Sequence, residues 1–188
     1  MVQPEQAPTW RITEWLNTPE PIDLGAQRGR VVVACAFQML CPGCVSRAIP
    51  QLKAVHELFA KQGVLVVGLH TMFEHHEAMT LLSLRAFLLE NQIRFPVGVD
   101  MPADDGGPIP LTMQTYRMQG TPTLLLIDRS GRLRQQIFGH IPDLQLGAEI
   151  SQLVMETGCG RSESVAKRLT EWRLNEKAAV EMLGNRSS

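Results

Sequence analysis

The segment Arg30-Val31-Val32-Val33-Ala34-Cys35-Ala36-Phe37, followed after Gln38-Met39-Leu40 by Cys41-Pro42-Gly43-Cys44, decides how the chain is read. Beyond Arg30 the first stretch is apolar and β-branched with little alternation, as expected of a strand buried on both faces. After the second cysteine, Val45, Ile49, Leu52, Val55, Leu58 and Phe59 recur at helical spacing as far as Lys61. Pro50 should kink this helix and Gly63 should end it. Cysteines three apart on a helical turn have Cβ atoms roughly 5–6 Å apart. A small adjustment brings them to the roughly 3.5–4.5 Å of a disulfide. The first turn of a helix also offers unpaired N–H groups and partial positive charge, a setting in which a cysteine sulfur acts as nucleophile. Pro42 fits there because its missing N–H would have had no partner. Strand, cysteine pair and helix thus stand in the order that thiol–disulfide exchange requires, with Cys41 attacking a disulfide and Cys44 releasing the product.

Two plainer readings of the pair stay open on the residues alone. A CxxC can be half of a zinc site, but a structural zinc takes four protein ligands, and neither a second CxxC nor a His-x-x-x-His follows. The two thiols can also be inert core residues. Cys35 lies six residues before Cys41. An extended chain of that length spans up to ~20 Å, against a limit of ~7 Å between Cα atoms for a bridge. A Cys35–Cys41 disulfide therefore requires the chain to fold sharply back, and Cys35 is read as a small buried residue. Cys159, between two glycines, is read as a bystander.

Outward from this segment, Trp10–Asn17 reads as a short helix or turn because Ile12, Trp15 and Leu16 recur at helical spacing, and Pro19 and Pro21 break it. Ile22–Leu24 reads as a short strand, Val64–Leu69 as a buried one, Thr80–Asn91 as a helix, and Phe95–Val99 as a third strand. Leu111–Met118 is a further helix. Thr123–Ile127 and Arg132–Phe138 form a hairpin around the turn Asp128-Arg129-Ser130-Gly131. Asp143 caps a helix to about Met155, and a last helix covers roughly Ser162 to Leu183. The order βαβ, an added αβ near residues 74–107, then ββα specifies an α/β fold with a mainly parallel sheet and an antiparallel edge. The expected organisation is an N-terminal extension over 1–20, one domain over 21–157, and a helical extension over 158–188.

Of the 188 residues, 44% are hydrophobic and 20% charged, and the formal charge is -1. No basic surface points to nucleic acid, and no apolar run approaches the ~18 residues of a membrane span. The opening Met1-Val2-Gln3-Pro4-Glu5-Gln6-Ala7-Pro8 has no basic stretch leading into an apolar core, so a reducing, cytoplasmic setting is the expectation. His70, His75 and His76, with Glu74 and Glu77, lack clear ligand spacing and read as a solvated loop; no metal and no cofactor are expected. The apolar stripe of the last helix, Val165, Leu169, Trp172, Ala179 and Leu183, packs on its own domain or serves a homodimer.

With the cysteine pair after a buried strand, Thr121-Pro122 before a later strand, Asp128-Arg129-Ser130-Gly131-Arg132, and Arg94-Phe95-Pro96-Val97, the chain resembles the thioredoxin superfamily over roughly residues 20–155. It is most similar to the TlpA/ResA-like and redoxin-type branch. On the residues alone, Pro122 is a proline at a strand start, cis or trans. The resemblance implies a thioredoxin-like mixed sheet flanked by helices, the nucleophile at Cys41, the resolving thiol at Cys44, and a cis proline at Pro122. It also implies that Thr121 offers backbone groups to a substrate strand. Pro42 and Gly43 complete the active-site motif. The family's buried aspartate, six residues before the first cysteine, is Cys35 here. The glutamate of ResA-like proteins, three residues after the second, is Arg47, and the tryptophan usual before the first is Leu40. No base for Cys44 is therefore assigned, and Arg47 is either a solvated side chain or a cation that favours the thiolate form near the pair.

The expected activity is disulfide exchange in the reducing direction, on a protein or small-molecule disulfide with an unidentified electron donor. A peroxiredoxin-like peroxidase is the enzymatic alternative, but the positions where peroxiredoxins carry Thr or Ser and Pro hold Gln38 and Ala34. A non-catalytic binding module on the same fold is the third reading.

Overall fold

The computed structural model describes residues 5–156. Six strands form one sheet in the order β1-β4-β3-β2-β5-β6. The strands are β1 (Ile12–Leu16), β2 (Val31–Phe37), β3 (Val64–His70), β4 (Val97–Asp100), β5 (Thr123–Ile127) and β6 (Leu133–Phe138). The helices are α1 (Ile49–Phe59), α2 (Leu81–Glu90), α3 (Leu111–Thr115) and α4 (Asp143–Met155). β2, β3 and β4 run parallel; β1, β5 and β6 join antiparallel to their neighbours. This is a mixed sheet with an inserted αβ unit and a closing hairpin, but three of its five strand pairings are antiparallel, so it is not the mainly parallel sheet expected. Residues 5–154 lie in one compact unit, and the helix expected over residues 162–183, with Cys159 and the homodimer considered for that helix, falls outside the described residues.

β2 sits at the centre because both of its faces are apolar. Val31, Val33, Cys35 and Phe37 enter a core layer shared with Ile49, Leu52 and Val55 of α1, Leu84 and Leu88 of α2, and Leu146 and Ile150 of α4. Val32, Ala34 and Ala36 enter the opposite layer with Leu65, Val67, Met113 and Tyr116. Gly68 of β3 belongs to the first layer by its place in the alternation. A Cβ there would come within 2.9 Å of the Phe37 ring and 3.1 Å of Val97, so only glycine lets these side chains close over the strand.

Residues Ile12–Leu16 are a strand, not the helix or turn expected. A bulge between Ile12 and Glu14 sets two residues of β1 against one of β4. It turns Ile12 and Trp15 toward one core layer and Leu16 toward the other. Apolar residues three and four apart thereby mimic a helical face. Part of the segment assigned to an N-terminal extension is accordingly an edge of the sheet. Ile22–Leu24 is also corrected: it is irregular and leads into a short 3-10 turn at Gly25–Gln27.

Pro50 does not kink α1; it sits in its first turn, immediately after a π-helical turn over Cys44–Ala48. Proline supplies no N–H to the carbonyl four residues back. The turn before it widens, so that the N–H of Ile49 bonds the Cys44 carbonyl. At the far end Gly63 closes the helical stretch with a φ of 81°.

Of the histidines read as a solvated loop, His70 is corrected. His75 and His76 are exposed, but His70 is the last residue of β3 and fully buried. Its ring meets Phe37 edge-on at 5.3 Å between centroids, and neither ring nitrogen has a hydrogen-bond partner. Burial lowers its pKa from 6.5 to about 4. The unfolded chain therefore takes up a proton as the pH falls through 6.5, while the folded protein resists until about 4. Stability should be intact above that window and fall across it by up to about 3 kcal/mol. Burial moves Asp100 upward, which gives a slope of opposite sign that both proteins in a comparison share. Urea unfolding between pH 7 and pH 4 should thus show a steeper loss for the wild type than for His70→Leu; parallel curves would contradict the assignment.

Candidate functional site

The chain leaves β2 at Phe37 and turns back at once, the N–H of Cys41 bonding the Gln38 carbonyl at 3.2 Å. Pro42 and Gly43 begin the helical stretch, and the Val45 N–H bonds the Cys41 carbonyl at 3.0 Å. Cys41 is half-buried, whereas Cys44 is completely buried. The backbone N–H of Cys44 donates to the Cys41 sulfur at 3.3 Å, so the two residues are joined without a disulfide. The Cys41 thiol in turn donates to the Thr121 carbonyl at 3.5 Å.

Thr121 and Pro122 reach the pair from the start of β5, and the peptide bond between them is cis. A Cβ on Gly43 would lie 3.6 Å from the Pro122 ring, so the cysteine loop and this segment are in van der Waals reach. The structure thus brings together Cys41, Pro42, Gly43, Cys44, Thr121 and Pro122. Arg47 lies on the π turn with its side chain exposed.

Burial, and then the neighbouring Cys41 sulfur, push the Cys44 thiol up to about 12; bonds from the Gln38 backbone and the Thr121 side chain pull partly against this. None of these groups is a carboxylate or an imidazole. Cys35 is buried in the same core layer as Cys44. Burial raises its pKa as well, followed by the proximity of Cys44 and of Cys41. The turn at Gln38–Cys41 is the sharp return that an estimate of extended length leaves out, and it places the third sulfur within electrostatic reach of the pair. Among the described residues, no group of three or more His, Cys, Asp or Glu converges as a metal site would require.

Beside Cys41 lies a groove of about 400 Å³. Leu40, Phe73, Glu74, His75 and Phe138 line it together with Gln38 and Thr121. Leu40 and Phe138 are 53% and 54% exposed. Gly120 makes room for the Phe138 ring, which a Cβ would meet at 3.0 Å. The sequence reading missed these wall residues. Phe138 directly follows Ile137 in β6, which breaks the alternation of faces, and this was the available signal for it. A larger groove of about 540 Å³ between β1 and α2 is lined by Trp15, Arg85 and Arg94 but by no cysteine.

Against known proteins, the AhpC/TSA family model matches residues 4–136. A crystal structure of a thioredoxin-like superfamily protein is 52% identical with a TM-score of 0.78, covering 81% of this chain and 98% of that one. A thiol-disulfide isomerase from Corynebacterium glutamicum is 46% identical with a TM-score of 0.75, covering 79% and 95%. The protein DipZ of Mycobacterium bovis is 32% identical over 131 residues, which are 69% of this chain but 18% of DipZ. The thiol-disulfide oxidoreductase ResA of Bacillus thuringiensis is 25% identical over 142 residues, 76% of this chain and 73% of ResA. With its thiol pair at the helix start and a thioredoxin-like fold around it, the chain belongs to the AhpC/TSA family.

Proposed function

We propose that Cys41 is the nucleophile and Cys44 the resolving thiol in the reduction of disulfides. The observation that carries this reading is the asymmetry of the pair: the Cys41 sulfur is reachable from the groove, and the Cys44 sulfur lies buried behind it. Cys41 attacks a substrate disulfide, one substrate sulfur leaves, and a mixed disulfide forms. Cys44, kept protonated by burial and by the Cys41 sulfur, is a poor nucleophile toward other disulfides and lies out of their reach. Once Cys41 is bound to substrate, the adjacent Cys44 sulfur displaces it and closes the Cys41–Cys44 disulfide. The Thr121 carbonyl, 3.5 Å from the Cys41 sulfur, supplies a pairing group for an extended substrate segment.

The reducing direction is part of the proposal. Cys35, an unpaired thiol beside the pair, suits a reducing compartment such as the cytoplasm, where further disulfides do not accumulate. A separate dithiol donor must then return the pair to its reduced state.

Cys44→Ser should accumulate mixed disulfides through Cys41, seen by non-reducing electrophoresis and mass spectrometry, and Cys41→Ser should accumulate none. Each substitution should lower insulin-disulfide reduction by roughly 100-fold or more. Without these adducts the chain would be a binding module. Peroxide consumption faster than insulin reduction would favour a peroxidase, for which Ala34 and Gln38 supply neither the proline nor the hydroxyl. Cys35→Ala, in contrast, should keep the single-turnover rate within roughly three-fold, because Cys35 is fully buried; a larger loss would make it a third participant.

A further inference from the structure

We infer that the groove beside Cys41 selects disulfides by charge and apolar character, accepting protein segments with a basic and an apolar residue near the cysteine and disfavouring anionic small disulfides such as glutathione disulfide. The inference rests on the exchange chemistry proposed above and names its substrate class.

Three observations support it. First, among the described residues lining the groove none is Lys or Arg, and the one acidic side chain is Glu74. A substrate carrying several carboxylates finds no lysine or arginine there, only the His75 imidazole, and meets the Glu74 carboxylate, whereas an amine or guanidinium finds an opposite charge. Second, the backbone of the loop that carries Glu74 is held in place, while the Glu74 side chain itself is exposed. The loop turns at His75, whose φ of 51° is left-handed, and the Ala78 and Met79 N–H groups bond the His75 carbonyl at 3.0 and 3.1 Å. Met79 then anchors the loop in the core with 1% of its surface exposed. Third, the apolar lining is concentrated at the thiol: Leu40 directly precedes Cys41, and Phe138 packs on Gly120, one residue before Thr121. A substrate segment paired with the Thr121 backbone would cover Leu40 and Phe138, whereas a short hydrophilic disulfide would leave them wet.

The test is single-turnover reduction of three small disulfides by the pre-reduced full chain: cystamine (cationic), bis(2-hydroxyethyl) disulfide (neutral) and glutathione disulfide (anionic). In each case the Cys41 sulfur breaks the probe's S–S bond and one probe sulfur leaves and gains a proton. Cys44 then displaces the second, and the two electrons of the dithiol end on the two released thiols. The expected order of rate constants is cationic, neutral, anionic, with neighbours differing by roughly three-fold at low salt and converging at high salt. Glu74→Lys should lower the cystamine-to-glutathione ratio by roughly ten-fold or more, and Glu74→Gln by less. Phe138→Ser should lower the preference for a peptide disulfide with leucine beside cysteine over one with serine there by several-fold. A flat order in the wild type, or ratios unmoved by Glu74→Lys and Phe138→Ser, would overturn the inference while leaving the exchange reading intact. No reduction of the neutral disulfide would overturn both.

Discussion

The site depends on one short contact, the Cys44 N–H pointing at the Cys41 sulfur at 3.3 Å. It exists because β2 ends at Phe37, the chain reverses over Gln38–Leu40, and a helical turn begins at the cysteine itself. Only a strand buried on both faces can deliver that turn at a fixed position, since side chains in both core layers hold it. The wide π turn that follows is part of the same arrangement. Cys44 contributes its N–H to one sulfur and its carbonyl to Ile49, so one residue joins the reactive loop to α1. Pro50, poor in a helix interior, suits this junction because it asks nothing of the turn before it.

The two thiols differ through their surroundings. Cys44 is enclosed by core side chains and bonded to its partner, and both effects keep its proton on. Cys41 borders a groove that contains the Thr121 carbonyl. An accessible sulfur and a buried one are thus separated by one helical turn.

Much of this was legible in the sequence. The run Val31–Phe37, the spacing of the cysteines, and the Thr121-Pro122 segment before Thr123–Ile127 are local patterns, and local patterns report burial and helix position directly. The unread parts are those that depend on distant segments or on one inserted residue. The bulge in β1 converts a period of two into apparent helical spacing. His70 looked like the start of a polar loop, but the strand continues one residue further than its apolar run. The closeness of Cys35 to the pair depends on a turn whose sharpness no composition rule gives. The groove is assembled from residues 38, 40–42, 73–75, 120–121 and 138, and no single window of sequence contains it.

The bulge has one more consequence. A sheet of six strands has two outer margins, and an unguarded margin invites a strand from another molecule to add itself. On the β1 side the bulged strand is bent and irregularly spaced, a poor template for such addition. On the β6 side residues 5–7 bond Leu133 and Gly131 and cover the beginning of that strand. Among the described residues, the straight uncovered margin is thereby limited to residues 134–138 of β6, a short length on which self-templated stacking of the chain could start.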